Sequence, residues 1–408
     1  MVQQLGQLAR LAAEEGSDVA VASRLKAPTD EKVALLVLQP TPFCNIDCKY
    51  CYLPNRSDRS RMSFATLKTA MSRIVEADLL AESLSIVWHA GEPLVLPPAW
   101  YAEAFGTVAE AVPKNVSVEH HFQTNGLLVD DAWCDFLKRA GARVGVSIDG
   151  PEDLHDASRR TRGDKGTHAR VVAGIRRLQQ AEIPLHAICV VTGAHLDHAD
   201  RLFDFFIDLG IKELGFNVEE VDGINRQSSL YREDVAAGFA KFFSQIVLRY
   251  RQDPDRISIR EIERILSSLV NSAPQKLSGN TQTRPLAIIS IAWDGSIGTF
   301  SPELLGTSDQ RLGSMAFGNI ATHSFADVLA DDRLRGIAAE ISHGVEQCRE
   351  SCPYFGFCRG GAPANKLGET GRFDTTVTTF CKLTYMMMTE AVLSGLEQDL
   401  DKRVANVG

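Results

Sequence analysis

Residues 41–52 read T-P-F-C-N-I-D-C-K-Y-C-Y, with Cys44, Cys48 and Cys51 in a C-x3-C-x2-C spacing. Thiolates bind iron well, and a [4Fe–4S] cluster normally takes four of them. Three cysteines within one short loop can hold three irons of a cube, leaving the fourth iron open to a small molecule. Structural zinc is the alternative, but it wants four ligands. The next residues are Leu53 and Pro54, so no fourth Cys or His stands nearby.

Working outward, Val33 to Gln39 is a continuous apolar run, as in a parallel strand buried on both faces. The cysteine loop leaves its C-terminal end, where α/β barrels carry their active sites. Strands at 84–88, 116–122, 143–148, 185–191 and 213–218 then alternate with helices at 63–80, 99–112, 130–140, 167–180 and 199–209. A helix at 232–251 makes a sixth. Such βα repetition predicts a parallel sheet. Six units are too few for a closed eight-stranded barrel.

Tyr50 directly precedes the third cysteine, and the loop resembles that of radical S-adenosylmethionine (SAM) enzymes. The resemblance implies an α/β fold, a partial (β/α)6 TIM-like barrel. It also implies a [4Fe–4S] cluster on Cys44, Cys48 and Cys51, whose open iron is chelated by SAM. His89-Ala90-Gly91-Glu92-Pro93 stands where that family has G-G-E-P, with Ala90 replacing the first glycine. Ala90, Gly91 and Glu92 would then hold the SAM amino group, with Tyr50 beside them. Gln123 and Asn125, at the next strand end, would bond the ribose. Ser147, in S-x-D-G, would contact the ribose or carboxylate, and Arg159 would grip the carboxylate, which suits a guanidinium fork. Asp149 and His155 read as framework.

The sixth strand runs into F-N-V-E-E-V-D-G-I-N (216–225), which places Glu219, Glu220 and Asp222 near the barrel mouth. Residues 259–270 lead out of the barrel, and 271–285 read as a linker. Asp294-Gly295 between the runs 287–293 and 296–300 is a hairpin signal. A helix at 324–341 follows. Cys348, Cys352, Cys358 and Cys381 form a second set, Cys381 opening a last helix to about Leu400. With the hairpin, this set resembles a SPASM domain, the auxiliary-cluster module of radical SAM peptide maturases. Its usual second auxiliary cluster draws on cysteines at positions that here hold Ser301 and Ala362. One auxiliary [4Fe–4S] cluster is therefore expected, with a tetrathiolate zinc knuckle as the alternative. Cys134 and Cys189 read as buried small hydrophobes.

Composition is ordinary for a globular chain: 408 residues, 44% hydrophobic, 23% charged. A net charge of −9 advertises no nucleic-acid surface. No apolar run approaches the roughly 18 residues of a membrane span. No signal peptide is visible, so nine cysteines in a cytoplasmic protein argue for metal. The expected organisation is a helical extension (1–32), a barrel (33–225), bridging helices and linker (226–286) and a SPASM-like domain (287–408). The segments 216–225 and 352–381 resemble the GrrM-like subgroup. That implies C–C cyclophane cross-linking of a ribosomal precursor peptide carrying a leader, Glu219 or Glu220 as base, and a small redox protein as electron donor. Sulfatase-maturase-like oxidation of a Ser or Cys, and a non-catalytic zinc protein that binds peptide, are the alternatives.

Overall fold

The computed structural model describes residues 32–232, 235–270 and 279–407. The expected N-terminal helix around Leu5–Ala12 and most of the 271–285 linker lie outside them.

Strand β1 (Leu35–Gln39) is almost wholly buried. Helix α1 (Phe64–Glu76) begins where expected, because the Ser63 hydroxyl accepts the Thr66 N–H at 3.0 Å. β2 (Ser83–Trp88), α2 (Pro98–Ala111) and β3 (Ser117–Thr124) follow. α3 (Asp131–Ala140) is bounded by an Asp130 cap and by Gly141 at φ +61°. β4 (Arg143–Ser147) leads to α4 (Glu152–Ser158) and α5 (His168–Gln180). β5 (Leu185–Val191), α6 (Ala199–Asp208) and β6 (Glu213–Val218) complete the predicted series. Trp88, Tyr101 and Phe122 are buried on one another, with ring centroids 4.9–6.4 Å apart, and weld α2 onto β2 and β3.

The sheet is larger than the six expected strands. Its order is β7-β6-β5-β4-β3-β2-β1-β8-β9, where β7 is Ser258–Ile259, β8 Ile288–Ala292 and β9 Ile297–Thr299. Every pairing is parallel except β8–β9. α7 (Val235–Gln252) connects β6 to β7, and α8 (Arg260–Val270) follows β7. The predicted hairpin exists, but β8 pairs with β1 along Leu35–Gln39 instead of standing apart. The reason is physical: β1 is apolar on both faces and would otherwise be an unpaired edge.

The helix expected at 324–341 is two, α9 (Phe325–Ala330) and α10 (Asp332–Ser351). Asp331 breaks the run and caps α10 through the Arg333 and Leu334 N–H groups. Short α11 (Phe355–Cys358) and α12 (Pro363–Thr370) carry the chain to a C-terminal helical run. That run opens at Thr379–Cys381, passes through a π-helical turn at Lys382–Met387 and continues as α13 (Met388–Val407).

Candidate active site

The cysteine loop sits at the C-terminal end of β1 and is fastened from two sides. Asp47 N–H donates to Arg160 O at 2.7 Å and Lys49 N–H to Ser158 O at 3.0 Å. Arg162 Nε donates to Cys44 O at 2.9 Å. Opposite, Glu92 N–H donates to Phe43 O at 2.8 Å. Gly91 has φ +57°, and a Cβ there would lie 2.5 Å from both the Thr41 and Phe43 carbonyl oxygens, so only glycine fits. Ala90 shares the left-handed backbone at φ +69°.

Beneath the loop, Asp149 is a fully buried hub. Its Oδ1 accepts Val190 N–H at 3.0 Å; its Oδ2 accepts Arg159 Nε at 3.0 Å and the Tyr50 hydroxyl. Burial alone would raise the Asp149 pKa, but Arg159, His155, Tyr50 and Val190 outweigh it and hold the carboxyl below its usual range. His155 Nδ1 accepts the Asp149 N–H at 3.2 Å. Arg159 also reaches over the Tyr50 ring and brings Nη1 to 3.9 Å from Cys48 Sγ.

Glu92 is 1% exposed and ties β2 to β3. Its carboxylate accepts Leu94 N–H at 3.0 Å, the Thr124 hydroxyl at 2.6 Å and Asn125 N–H at 2.7 Å. Burial pushes its pKa up to about 7 despite these donors. Asn125 Nδ2 donates to Asn45 Oδ1 at 2.7 Å and faces Cys44 Sγ at 3.9 Å. Gln123 Nε2 donates to Ser147 Oγ at 3.1 Å. Asn125 and Arg159 thus reach the loop that carries Tyr50, while Gln123 and Ser147 pair with each other at the ends of β3 and β4.

The two candidate bases separate. Glu219 turns away: its carboxylate accepts Ser229 N–H at 2.7 Å and the Ser229 hydroxyl. Glu220 stays at the mouth, accepting Asn365 Nδ2 from α12 at 2.6 Å. Asp222 is buried beside it, and its Oδ2 has no hydrogen-bond partner. Glu303, which sequence reasoning missed, joins them and accepts the Ser301 hydroxyl. Burial, with Asp222 and Glu303 adding repulsion, pushes Glu220 up to about 8; burial and Glu303 push Asp222 to about 7. Tyr52, whose hydroxyl lies 2.9 Å from His89 Nε2, stands between Cys51 and these acids. A cavity of about 370 Å³, lined by Gln39, Pro42, Gly91 and Trp293 among others, lies between the loop and the hairpin, and neither Ser147 nor Glu220 lines it.

The second cysteines gather where helices end. Cys348 and Cys352 close α10, Cys358 closes α11, and Cys381 sits in the turn capped by Thr378. Burial pushes Cys381 to about 12, and Cys358, Cys352 and Cys348 add to the rise. In the first loop, burial carries Cys44 to about 12 and Cys48 to about 11, and the loop's thiols feel one another. Among the described residues, no three His, Cys, Asp or Glu side chains converge as ligands of a single ion would. A cubane gives each thiolate its own iron, and both donor sets suit that soft chemistry.

The model of the radical SAM superfamily matches residues 38–222. An uncharacterized protein of Synechocystis is 37% identical over 370 residues, covering 90% of this chain and 92% of its own. The chain belongs to the radical SAM superfamily. The cofactors of that superfamily are SAM and the [4Fe–4S] cluster that binds it. A serine-type anaerobic sulfatase-maturating enzyme of Klebsiella aerogenes is 26% identical over 337 residues, covering 79% of this radical SAM protein and 78% of that enzyme. In fold it resembles anSMEcpe with bound AdoMet (TM-score 0.72, 20% identity, 90% of this chain and 99% of that one). It also resembles Streptococcus suis SuiB bound to precursor peptide SuiA (TM-score 0.61, 18% identity, 93% and 87%).

Proposed function

We propose that this radical SAM enzyme modifies a ribosomally made precursor peptide, joining an aromatic ring to an unactivated side-chain carbon as a C–C cyclophane. The observation that carries the reading is one juxtaposition. The three-cysteine loop opens onto the same mouth as Glu220, Asp222 and Glu303, and α12 of the second cysteine module closes that mouth through Asn365. SuiB, a fold neighbour, binds a precursor peptide, which supports a peptide substrate here.

Cys44, Cys48 and Cys51 would hold the SAM-binding cluster, and Cys348, Cys352, Cys358 and Cys381 the single auxiliary one. When bound, SAM and its cluster supply a 5′-deoxyadenosyl radical able to remove a hydrogen atom from carbon. The chain does the rest. Ala90 and Gly91 would offer backbone to the SAM amino group. Glu92 keeps one acceptor position on Oε2 for it, since a carboxylate offers about four lone-pair sites and three are used here. Gln123, Asn125 and Ser147 would hold the ribose, and Arg159 would bring charge to the carboxylate. Asp222, with its unpartnered oxygen and a pKa near 7, suits acceptance of the ring proton, with Glu220 beside it. Glu219 is committed to Ser228 and Ser229 and takes a structural part. A small redox protein would deliver electrons, and the reducing cytoplasm is the compartment we assign.

Similarity to sulfatase-maturating enzymes favours one second reading, oxidation of a Ser or Cys in a protein substrate. Co-expression with a neighbouring short peptide, then mass spectrometry, separates the two. Loss of two hydrogens with a new ring-to-carbon bond in the fragment spectra supports the cross-link. Formylglycine in a co-expressed sulfatase, with the peptide unchanged, supports the second reading.

A further inference from the structure

Lys366 on α12 is 5% exposed, an unusual place for an ammonium group. Among the described residues no carboxylate lies within ion-pair distance of it, and its one hydrogen-bond partner is Cys348 Sγ at 4.0 Å. A buried charge without a counter-charge costs several kcal/mol. The positive side chain therefore calls for an anion at the cysteines. Neighbouring features point the same way. Gly360 (φ +104°) and Gly361 (φ +75°) fold the chain back over Cys358, whose carbonyl accepts Gly361 N–H at 3.4 Å, and their backbone N–H groups favour the Cys358 thiolate. A Cβ at Gly360 would lie 2.6 Å from Val345 Cγ2, so that turn is fixed by packing.

We propose that Lys366 is the built-in counter-charge of the auxiliary cluster, sets its reduction potential and so tunes its exchange of single electrons with a partner. This rests on the reading that Cys348, Cys352, Cys358 and Cys381 hold a [4Fe–4S] cluster. Four thiolates around a 2+ core leave a net charge of −2, and one-electron reduction makes it −3. An ammonium beside one ligand sulfur favours the more negative state and raises the potential; net charge and sulfur contacts are the levers that set such potentials. Lys366 is a positioning and tuning residue, since it acts through the ligand and touches no substrate. The first cysteine loop has a different arrangement: Arg159 stands near Cys48, but its charge is shared with Asp149.

The test uses the full chain, reconstituted anaerobically with iron and sulfide. Iron is counted in the wild type, Lys366→Met and Lys366→Arg. Potentiometric titration followed by electron paramagnetic resonance is run on the same variants in a Cys44→Ala/Cys48→Ala/Cys51→Ala background, where only the auxiliary signal remains. A lower midpoint potential in Lys366→Met, with Lys366→Arg close to wild type, is the expected result. Equal midpoints in all three, at full iron content, overturn the proposal. If Lys366→Met fails to load the auxiliary irons, retention of iron and midpoint by Lys366→Arg supports the charge role, and loss in both variants overturns it. Four irons in the wild type would instead sink the cluster reading of the second cysteine set, and the proposal with it.

Discussion

The two cysteine sites are built on opposite plans. The first is one loop at a strand end, with three sulfurs in eight residues, clamped by backbone bonds from Ser158, Arg160 and Glu92 and by the Arg162 side chain. It faces an acidic mouth. The second collects four sulfurs from three helix ends across 348–381 and keeps a lysine against them. An incomplete ligand set leaves an iron for a cofactor; a complete one leaves none. The difference teaches that ligand count, more than the metal, divides reaction from support.

The largest expected effect breaks the first site. Cys44→Ala, Cys48→Ala or Cys51→Ala should abolish SAM cleavage, measured as 5′-deoxyadenosine under anaerobic reduction. Cys381→Ala should leave SAM cleavage measurable while cutting peptide conversion. Equal losses at both sites would erase the contrast.

Next in size is the buried pair beneath the first loop. Removing one partner of such a pair costs about 3–5 kcal/mol. Asp149→Ala should therefore lower the unfolding midpoint strongly. Arg159→Ala should do likewise and also weaken SAM binding by roughly ten- to hundredfold. Chemical denaturation and SAM titration separate the two effects. A SAM dissociation constant unchanged in Arg159→Ala would restrict Arg159 to structure.

The acidic mouth gives a pH signature. Glu220 keeps its proton in the folded chain up to about 8, against an ordinary 4.5. Unfolding therefore releases a proton within that window, and stability falls as pH rises through it. Glu220→Gln should flatten that fall, measured as denaturation midpoints at pH 5 and pH 8. A slope identical to wild type would place the carboxyl in water. Smallest is the rim of the first unit: Ser63→Ala removes the α1 cap and should cost about 1 kcal/mol.

Much of the first site was legible because its chemistry is local. The C-x3-C-x2-C spacing, the apolar run of β1, the Ser63 cap and the Asp294-Gly295 turn each act within a few residues. The alternation of strands and helices from 35 to 218 was legible for the same reason, apart from the unexpected α4, shifts of one or two residues at most ends and larger ones such as the early end of α1. The acidic mouth was only half visible. Glu219 and Glu220 are adjacent in sequence, yet the chain turns one to Ser229 and the other to Asn365, a contact across 145 positions.

By itself, then, the sequence determined the three-sulfur loop, the repeating βα units and the missing cysteines at Ser301 and Ala362, because spacing and residue type decide those. Only the tertiary structure decided that β8 zips onto β1, that Asp149 binds Tyr50, Arg159 and Val190 at once, that Glu303 joins Asp222, and that Lys366 is buried against Cys348. These are long-range contacts, and their partners are chosen by which buried edge, charge or lone pair is left unsatisfied when the sheet closes around the loop. That choice exists only once distant segments share one interior.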